Sequence, residues 1–130
     1  MYGPIVTDHF RNPRNLGRLD APDGVGQVDD PGTDTFVTVN VRLERSAAGG
    51  ATIAEARFRA LGCSACIATG SMATELARGH TVNEALAIDA AAILAALAHG
   101  IPEDQRYCAD LAARALHQAL MAASDAASRS

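Results

Sequence analysis

The hydrophobic pattern of this chain changes near residue 61, from alternating segments to segments with helical spacing. Between residues 37 and 43 valine and leucine alternate with polar residues, which predicts a strand with one buried face. Residues 56 to 60 alternate in the same way between apolar and charged side chains. The short connection contains Gly49 and Gly50, so we expect a turn there and antiparallel pairing of the two strands.

Helices are predicted on both sides of these strands. Apolar residues recur at helical spacing from Ile5 to Phe10, and the proline and glycine within residues 12 to 17 end that helix. Residues 19 to 30 have the composition of a loop with, at most, a brief edge strand. Four helical segments follow residue 61. They are a helix capped by Ser64 or Ser71 that runs to Arg78, a helix opened by the capping box of residues 81 to 84, a helix from Ala90 to Ala98 capped by Asp89, and a helix from about Asp104 to Ala123.

The order of these elements predicts an α+β architecture. A small antiparallel sheet of about three strands is expected, covered on one face by the helices that follow it. No repeat or linker divides the sequence, so we expect a single domain over residues 1–123. The small, polar residues 124–130 are predicted to form a frayed tail.

Composition and charge exclude several classes of function. The chain has 130 residues, 48% of them hydrophobic and 20% charged, which suits a globular domain that folds without disulfide bonds. Its net charge is -4, so no basic surface for nucleic acid is expected. All eleven basic residues are arginine, which excludes lysine chemistry of the Schiff-base and Walker types.

The sequence also argues against export and membrane insertion. The N-terminal residues do not resemble a secretory signal, and no apolar stretch is long enough to span a membrane. We therefore expect a cytoplasmic protein whose thiols stay reduced. Its three cysteines, an odd number, are then candidate metal ligands or nucleophiles.

The candidate chemistry is concentrated at the strand-to-helix boundary, where Cys63 and Cys66 form a CxxC pair. Cys108 opens a later helix in the same manner, and thiols at helix N-termini ionise readily, bind metal and accept sulfur. The CxxC spacing suits metal chelation as well as a redox pair, although thioredoxin-like chemistry requires a βαβ unit that is not predicted here. For Cys66 the alternative is burial as a small apolar residue.

Asp34 is a further candidate ligand, because it follows a Pro-Gly-Thr segment at the entry to the first predicted strand. Its carboxylate can bind metal beside thiolates, and a turn-forming aspartate is the alternative. The four histidines are not assigned to the site. His9 and His117 lie among apolar neighbours on helices, and His80 and His99 stand beside helix-ending glycines.

Three motifs, in order and spacing, cover nearly the whole chain. They are DHFRNPRNLG at residues 8–17, ARFRALGC at residues 56–63 followed by Ile67-Ala68, Ser71 and Thr74-Glu75, and CADLA at residues 108–112 with Ala115-Leu116. Together they resemble the IscU/NifU family of iron-sulfur cluster scaffolds. The resemblance implies the α+β fold of that family and a scaffold rather than a turnover enzyme. Such a scaffold receives sulfur from a pyridoxal-phosphate cysteine desulfurase, combines it with iron, and passes a transient [2Fe-2S] cluster to apo acceptor proteins.

The resemblance also implies roles for individual residues. Cys63 matches the second ligand cysteine of the family, and Cys108 matches the third, which is typically the persulfide acceptor. Asp34 matches the aspartate that tunes cluster lability. Tyr2 matches a tyrosine linked to dimer formation, so both a monomer and a homodimer around a cluster are compatible with the resemblance.

The chain departs from the family pattern at three places. Gly32 stands where the first ligand cysteine is expected, and Tyr107 replaces the histidine before the third. The stretch that a family Hsp70 chaperone recognises corresponds to residues 101–105, IPEDQ, which lacks the cationic end and adds two acids. This change argues against recognition by that Hsp70 system.

Because the first ligand cysteine is absent, we consider Cys66 as a replacement ligand, a role that the family pattern does not contain. A cluster or a zinc ion needs about four ligands, and Cys66 lies one helical turn from Cys63. The ligand set is then Asp34, Cys63, Cys66 and Cys108. Helix geometry equally allows Cys66 to face the core.

Three functions stay open. The first is a working scaffold that assembles a cluster from iron and sulfur. The second is a zinc-bound sulfur acceptor and activator of a cysteine desulfurase, as in the SufU branch, which usually carries an insertion before the third cysteine. The short segment between Ile88 and Cys108 favours the scaffold. The third is a degenerate paralogue that keeps the fold as an interaction module.

Overall fold

A computed structural model describes residues 2–45 and 50–128, with side chains up to residue 124. Helices and strands follow one another in the predicted order. They are α1 (Pro4–Arg11), β1 (Gly24–Asp30), β2 (Thr35–Arg45), β3 (Ala51–Leu61), α2 (Ser64–Ala77), α3 (Val82–Leu86), α4 (Ala90–Ala96), one 3-10 turn (Glu103–Gln105) and α5 (Tyr107–Ser128). No helix in this part of the chain is both long and apolar enough to cross a membrane.

The three strands form one antiparallel sheet in the order β1-β2-β3, which confirms the predicted α+β architecture. Val37, Val39 and Val41 are completely buried, and their period of two places them on one face of β2. Helices α2 and α5 pack against that face together with Phe58 of β3. The predicted turn at Gly49 lies outside the described residues.

Strand β1 corrects the prediction of a loop with at most a brief edge strand. It pairs with β2 along its whole length, from Gly24 opposite Val41 to Asp30 opposite Thr35. Its glycines hide the strand signal because they lower β propensity. They are required by packing: a Cβ atom at Gly26 would lie 1.9 Å from the backbone oxygen of Ala115, where α5 crosses the strand.

The start of α2 differs from the predicted serine cap. Cys63 occupies the N-cap position with extended backbone angles, and Ser64 is the first helical residue. Gly62 precedes it with a φ of +147°, a left-handed conformation that glycine adopts without strain. Ser71 lies in the middle of α2, where it accepts a hydrogen bond instead of capping the helix.

The capping signals of the next two helices are confirmed. Thr81 and Glu84 form both hydrogen bonds of the capping box, and Asp89 accepts a bond from the backbone N–H of Ala92 at 2.8 Å. Helix α4 ends at Ala96, two residues before the predicted end. The reason is a turn in which Ala98 takes a φ of +55°.

Helix α5 also differs from its predicted bounds. It begins at Tyr107 because residues 103–105 form a 3-10 turn, and its backbone continues to Ser128, beyond the predicted end at Ala123. No proline or glycine interrupts residues 124–128, so nothing in the sequence stops the helix there. Residues 129–130 of the predicted frayed tail lie outside the described residues, and the fraying stays a prediction.

His9 joins α1 to α2 as a buried structural residue. Its Nδ1 lies 2.7 Å from Oγ of Ser71, and the same oxygen accepts a hydrogen bond from the backbone N–H of Arg14 at 2.9 Å. Burial lowers the pKa of His9, and the positive charge of Arg14 lowers it further. The neutral ring is therefore the form that the fold accommodates.

This environment predicts a loss of stability in mild acid. Because the pKa of His9 is lower in the folded chain than in the unfolded chain, the unfolded chain takes up the proton first as the pH falls. The stabilisation is complete above an unfolded pKa of about 6.5 and declines below it. Urea unfolding between about pH 5 and 7.5 will show this slope in the native sequence and a flatter one in His9→Gln. The exposed His99→Asn serves as the control and keeps the native slope, so a native slope in His9→Gln refutes the assignment.

Candidate metal and sulfur site

The three cysteines converge where the N-termini of α2 and α5 meet. Cys63 Sγ lies 3.6 Å from Cys66 Sγ and 3.5 Å from Cys108 Sγ, and the sulfurs of Cys66 and Cys108 are 2.8 Å apart. All three are free thiols. Cys63 is partly exposed, whereas Cys66 and Cys108 have 0% exposure. The site therefore has one open thiol with two thiols beneath it.

The chain brings Cys63 and Cys66 together through the bend at Gly62. A Cβ atom at Gly62 would lie 3.2 Å from both Cys66 Sγ and Thr35 Oγ1, in addition to facing an unfavourable φ. Cys63 then stands at the N-cap of α2, and Cys66 follows one turn later. The backbone N–H of Cys66 donates to the carbonyl of Cys63 at 3.0 Å, which fixes this first turn.

A buried threonine fixes the position of Cys108 relative to Cys66. The hydroxyl of Thr69 lies 3.2 Å from the carbonyl oxygen of Cys66 and 3.3 Å from that of Cys108. Because it can donate to either carbonyl, Thr69 ties the first turns of α2 and α5 to each other. The short contact between the two sulfurs is thus held by the backbone on both sides.

The hydrogen bond between the buried thiols separates their acidities. Donation from Cys108 lowers the pKa of Cys66 to about 6, although burial opposes this, and a further bond with Cys63 lowers it as well. The same bond with Cys66 raises the pKa of Cys108, and burial acts in the same direction. The contact therefore favours the thiolate at Cys66 and the protonated thiol at Cys108.

Two phenols and a threonine surround the thiols. The hydroxyl of Tyr2 donates to the side-chain oxygen of Gln105, and burial together with the negative charge of Cys63 raises the pKa of Tyr2. At Tyr107 a hydrogen bond with Thr35 lowers the pKa, but burial and the nearby Cys108 outweigh it and raise the pKa overall. The phenols are therefore neutral at physiological pH and can act as hydrogen-bond donors beside the sulfurs.

Thr35 is the site residue that sequence reasoning missed. It is 1% exposed, and its hydroxyl accepts a hydrogen bond from Thr33 at 2.9 Å and contributes a bond that lowers the pKa of Cys66. No local signal marks this residue, because a threonine at the start of a strand is ordinary. Thr35 reaches Cys66 only because β2 lies next to α2 in the folded chain.

Asp34 does not join the thiol group in the structure. Among the described residues, the three cysteines form a group with all sulfurs within 4.8 Å of one another, and the carboxylate of Asp34 is not part of it. Asp34 is exposed and has a φ of +53°, and its backbone N–H donates to Pro31 in a turn. Aspartate tolerates this left-handed conformation well. Its part in metal binding stays a prediction.

The three sulfurs fit a thiophilic metal. Metal–thiolate bonds of about 2.3 Å in tetrahedral geometry place the sulfurs about 3.8 Å apart. The two distances from Cys63 are close to this value, and the contact between Cys66 and Cys108 has to lengthen by about 1 Å for the same geometry. Three protein thiolates then leave one of four metal positions for another ligand.

Fold and site together define a small α+β domain that presents three thiols at the junction of two helix N-termini. Comparison with known proteins places it in a family: residues 1–127 match the NifU-like N terminal domain, and the chain belongs to this family. Its relatives include the iron-sulfur cluster assembly scaffold protein IscU 1 of Archaeoglobus fulgidus, which is 41% identical over 121 residues, 93% of this chain and 75% of the relative.

Two further comparisons extend this result. The iron-sulfur cluster assembly scaffold protein IscU of Azotobacter vinelandii is 34% identical over 92% of this chain and 91% of its own length. A solved structure from Fervidobacterium islandicum, described as a cluster assembly scaffold protein for the SUF system, superimposes with a TM-score of 0.72. It covers 92% of this chain and 96% of that one at 18% identity, so it supports the fold alone.

Proposed function

We propose that this protein is a scaffold on which an iron-sulfur cluster is assembled and from which the cluster is transferred. The observation that carries the proposal is the convergence of three free thiols within 4.8 Å. Relatives of 41% and 34% identity, named as cluster assembly scaffolds, support the same function. Iron and sulfide are the cargo, and Cys63, Cys66 and Cys108 are the ligands that hold it.

Sulfur delivery is the second part of the proposal. A pyridoxal-phosphate cysteine desulfurase hands over persulfide sulfur, and Cys108 is the thiol that carries it in the site. Because Cys108 is buried, the partly exposed Cys63 is the thiol that meets the donor. Cys108 passes its proton to the neighbouring Cys66 thiolate and attacks the outer sulfur of a Cys63 persulfide, which leaves Cys63 as a thiolate and Cys108 as the persulfide. The sulfur separation of 3.5 Å allows this exchange.

The number of ligands indicates which cluster the site would hold and what has to complete its coordination. Three thiolates supply three of the four ligands of a [2Fe-2S] cluster, and Asp34 or a second copy of the chain supplies the fourth. Tyr2 lies beside the opening at Cys63, where the contact surface of a homodimer around a shared cluster would lie. Apo iron-sulfur proteins receive the completed cluster. A reducing compartment such as the cytoplasm keeps the thiols available.

Zinc is the alternative cargo, because three thiolates near tetrahedral spacing also suit a zinc ion. In that case the protein is a zinc-bound sulfur acceptor that activates the desulfurase. One experiment separates the two functions: protein purified without oxygen is incubated with ferrous iron, cysteine, a cysteine desulfurase and dithiothreitol, which reduces persulfide sulfur to sulfide, and is then desalted. We expect a brown protein with sulfur-to-iron charge-transfer absorption and equal amounts of iron and acid-labile sulfide. One zinc per chain with no iron supports the sulfur acceptor, and protein that binds neither metal refutes both and leaves an interaction module.

A further inference from the structure

The contact between Cys66 and Cys108 is closer than metal binding requires. Their sulfurs are 2.8 Å apart, whereas Cys63 lies 3.5 and 3.6 Å from the two. Both residues are completely buried, and Thr69 holds their helix turns together. Two thiols in such contact are arranged to react with each other when one of them carries an additional sulfur atom.

We propose that Cys66 is a resolving thiol, which releases sulfide from a persulfide on Cys108 and closes a Cys66–Cys108 disulfide. The inference rests on the proposed function, because that function supplies the persulfide. It assigns Cys66 an activity beyond that of a replacement ligand. Sulfur that arrives in the zero-valent state leaves as sulfide, the form that a cluster contains.

The reaction balances without an external reductant. The thiolate of Cys66 attacks Sγ of the Cys108 persulfide, and the bond between that Sγ and the terminal sulfur breaks. The terminal sulfur leaves with both electrons of the broken bond as hydrosulfide, which carries the persulfide proton. The proton that Cys66 lost when it became a thiolate passes to the solvent. Two thiols are oxidised to a disulfide, and one sulfane sulfur is reduced to sulfide.

Burial makes this intramolecular route faster than reduction from outside. A thiol in solution has to reach Cys108 through the opening at Cys63, because Cys108 has no exposed surface. The sulfur of Cys66 already touches it, and a preoriented group has a very high effective concentration. The disulfide then withholds two of the three thiolates from metal until a dithiol reductant such as dithiothreitol reopens it.

The test uses metal-free, reduced protein without oxygen, desulfurase or iron. A stoichiometric amount of sodium tetrasulfide is added, the reaction is stopped with iodoacetamide at intervals, and intact mass and peptide maps are recorded. In the native sequence we expect a transient gain of one sulfur atom, followed by the loss of two hydrogen atoms and a peptide that links Cys66 to Cys108. In Cys66→Ser and Cys66→Ala we expect the added sulfur to persist about tenfold longer or more.

The matched control is Cys63→Ser, which also leaves two thiols but keeps the proposed pair. Because Cys63 is the thiol that meets the sulfur donor, this variant should take up less sulfur, but its peptide maps should still show the link between Cys66 and Cys108 in proportion to the sulfur taken up. Native protein without tetrasulfide should keep its thiols. A persulfide that is as stable in the native sequence as in Cys66→Ser overturns the inference and leaves sulfur acceptance intact. A disulfide that includes Cys63 also overturns it. If no variant takes up sulfur, the proposed function itself fails at sulfur acceptance, together with this inference.

Discussion

Replacing Cys66 by serine will lower the iron and acid-labile sulfide bound after anaerobic reconstitution by about tenfold or more. The loss should equal that caused by Cys63→Ser, because the sulfur of Cys66 belongs to the same group of three within 4.8 Å. A serine hydroxyl is a poor ligand for a thiophilic metal, and it leaves only two thiolates in the site. Iron analysis and the charge-transfer absorbance per chain measure the effect.

Replacing a buried cysteine can also lower the stability of the fold, and an unfolded variant would lose iron for that reason alone. The free energy of unfolding of each variant therefore has to be measured together with its metal content. Cys66→Ala removes the thiol without adding a buried hydroxyl, and it should lose iron to the same extent as Cys66→Ser. Ser64→Ala, a change in the same helical turn that removes no sulfur, should keep the native iron content. Native iron content in folded Cys66→Ala would show that Cys66 is a core residue and that the ligand hypothesis is wrong.

The sequence alone could not decide whether Cys66 faces the core or the thiol site, because it does not fix how α2 is rotated about its axis. The CxxC pattern places Cys66 one turn after Cys63, but on a helix buried on most sides that position faces either the core or the site. The bend at Gly62 and the approach of α5, which carries Cys108, direct the side chain of Cys66 into the site. Both depend on contacts with distant parts of the chain, which local sequence patterns do not show. Thr69 is likewise ordinary in sequence, since its role depends on a residue 39 positions away.

Local signals predicted the parts of the fold that depend on local energetics. The alternating segments of β2 and β3 and the capping box at Thr81 need only their own residues and a nearby partner, and both are present in the structure. Strand β1 was expected only as a brief edge strand, and its full length could not be predicted because its glycines are required by contact with a helix almost ninety residues later. Asp34 was expected among the ligands because of its place before the first predicted strand and because it matched a family position. The left-handed turn at this residue cannot be derived from that match.

Placing alanine at Gly26 will destabilise the fold by about 1–3 kcal/mol, because it overpacks the contact between β1 and α5. The new Cβ would lie 1.9 Å from the backbone oxygen of Ala115 and 2.7 Å from the backbone nitrogen of Ala119. Backbone atoms cannot rotate away as a flexible side chain can, so α5 has to move off the sheet. Urea denaturation followed by circular dichroism gives the change in the free energy of unfolding.

Gly32→Ala is the matched control for this substitution. The nearest atom to a Cβ there is Oδ1 of Asp30 at 3.5 Å, an ordinary contact, so we expect a change within about 0.5 kcal/mol. Because α5 carries Cys108 at its start, a displaced α5 should also separate Cys108 from Cys66, and Gly26→Ala should bind less iron than Gly32→Ala. Equal stability of the two variants would show that α5 does not need the close approach at β1. Lower stability with native iron content would show that the thiol site is held by Thr69 and α2 independently of how α5 packs on the sheet.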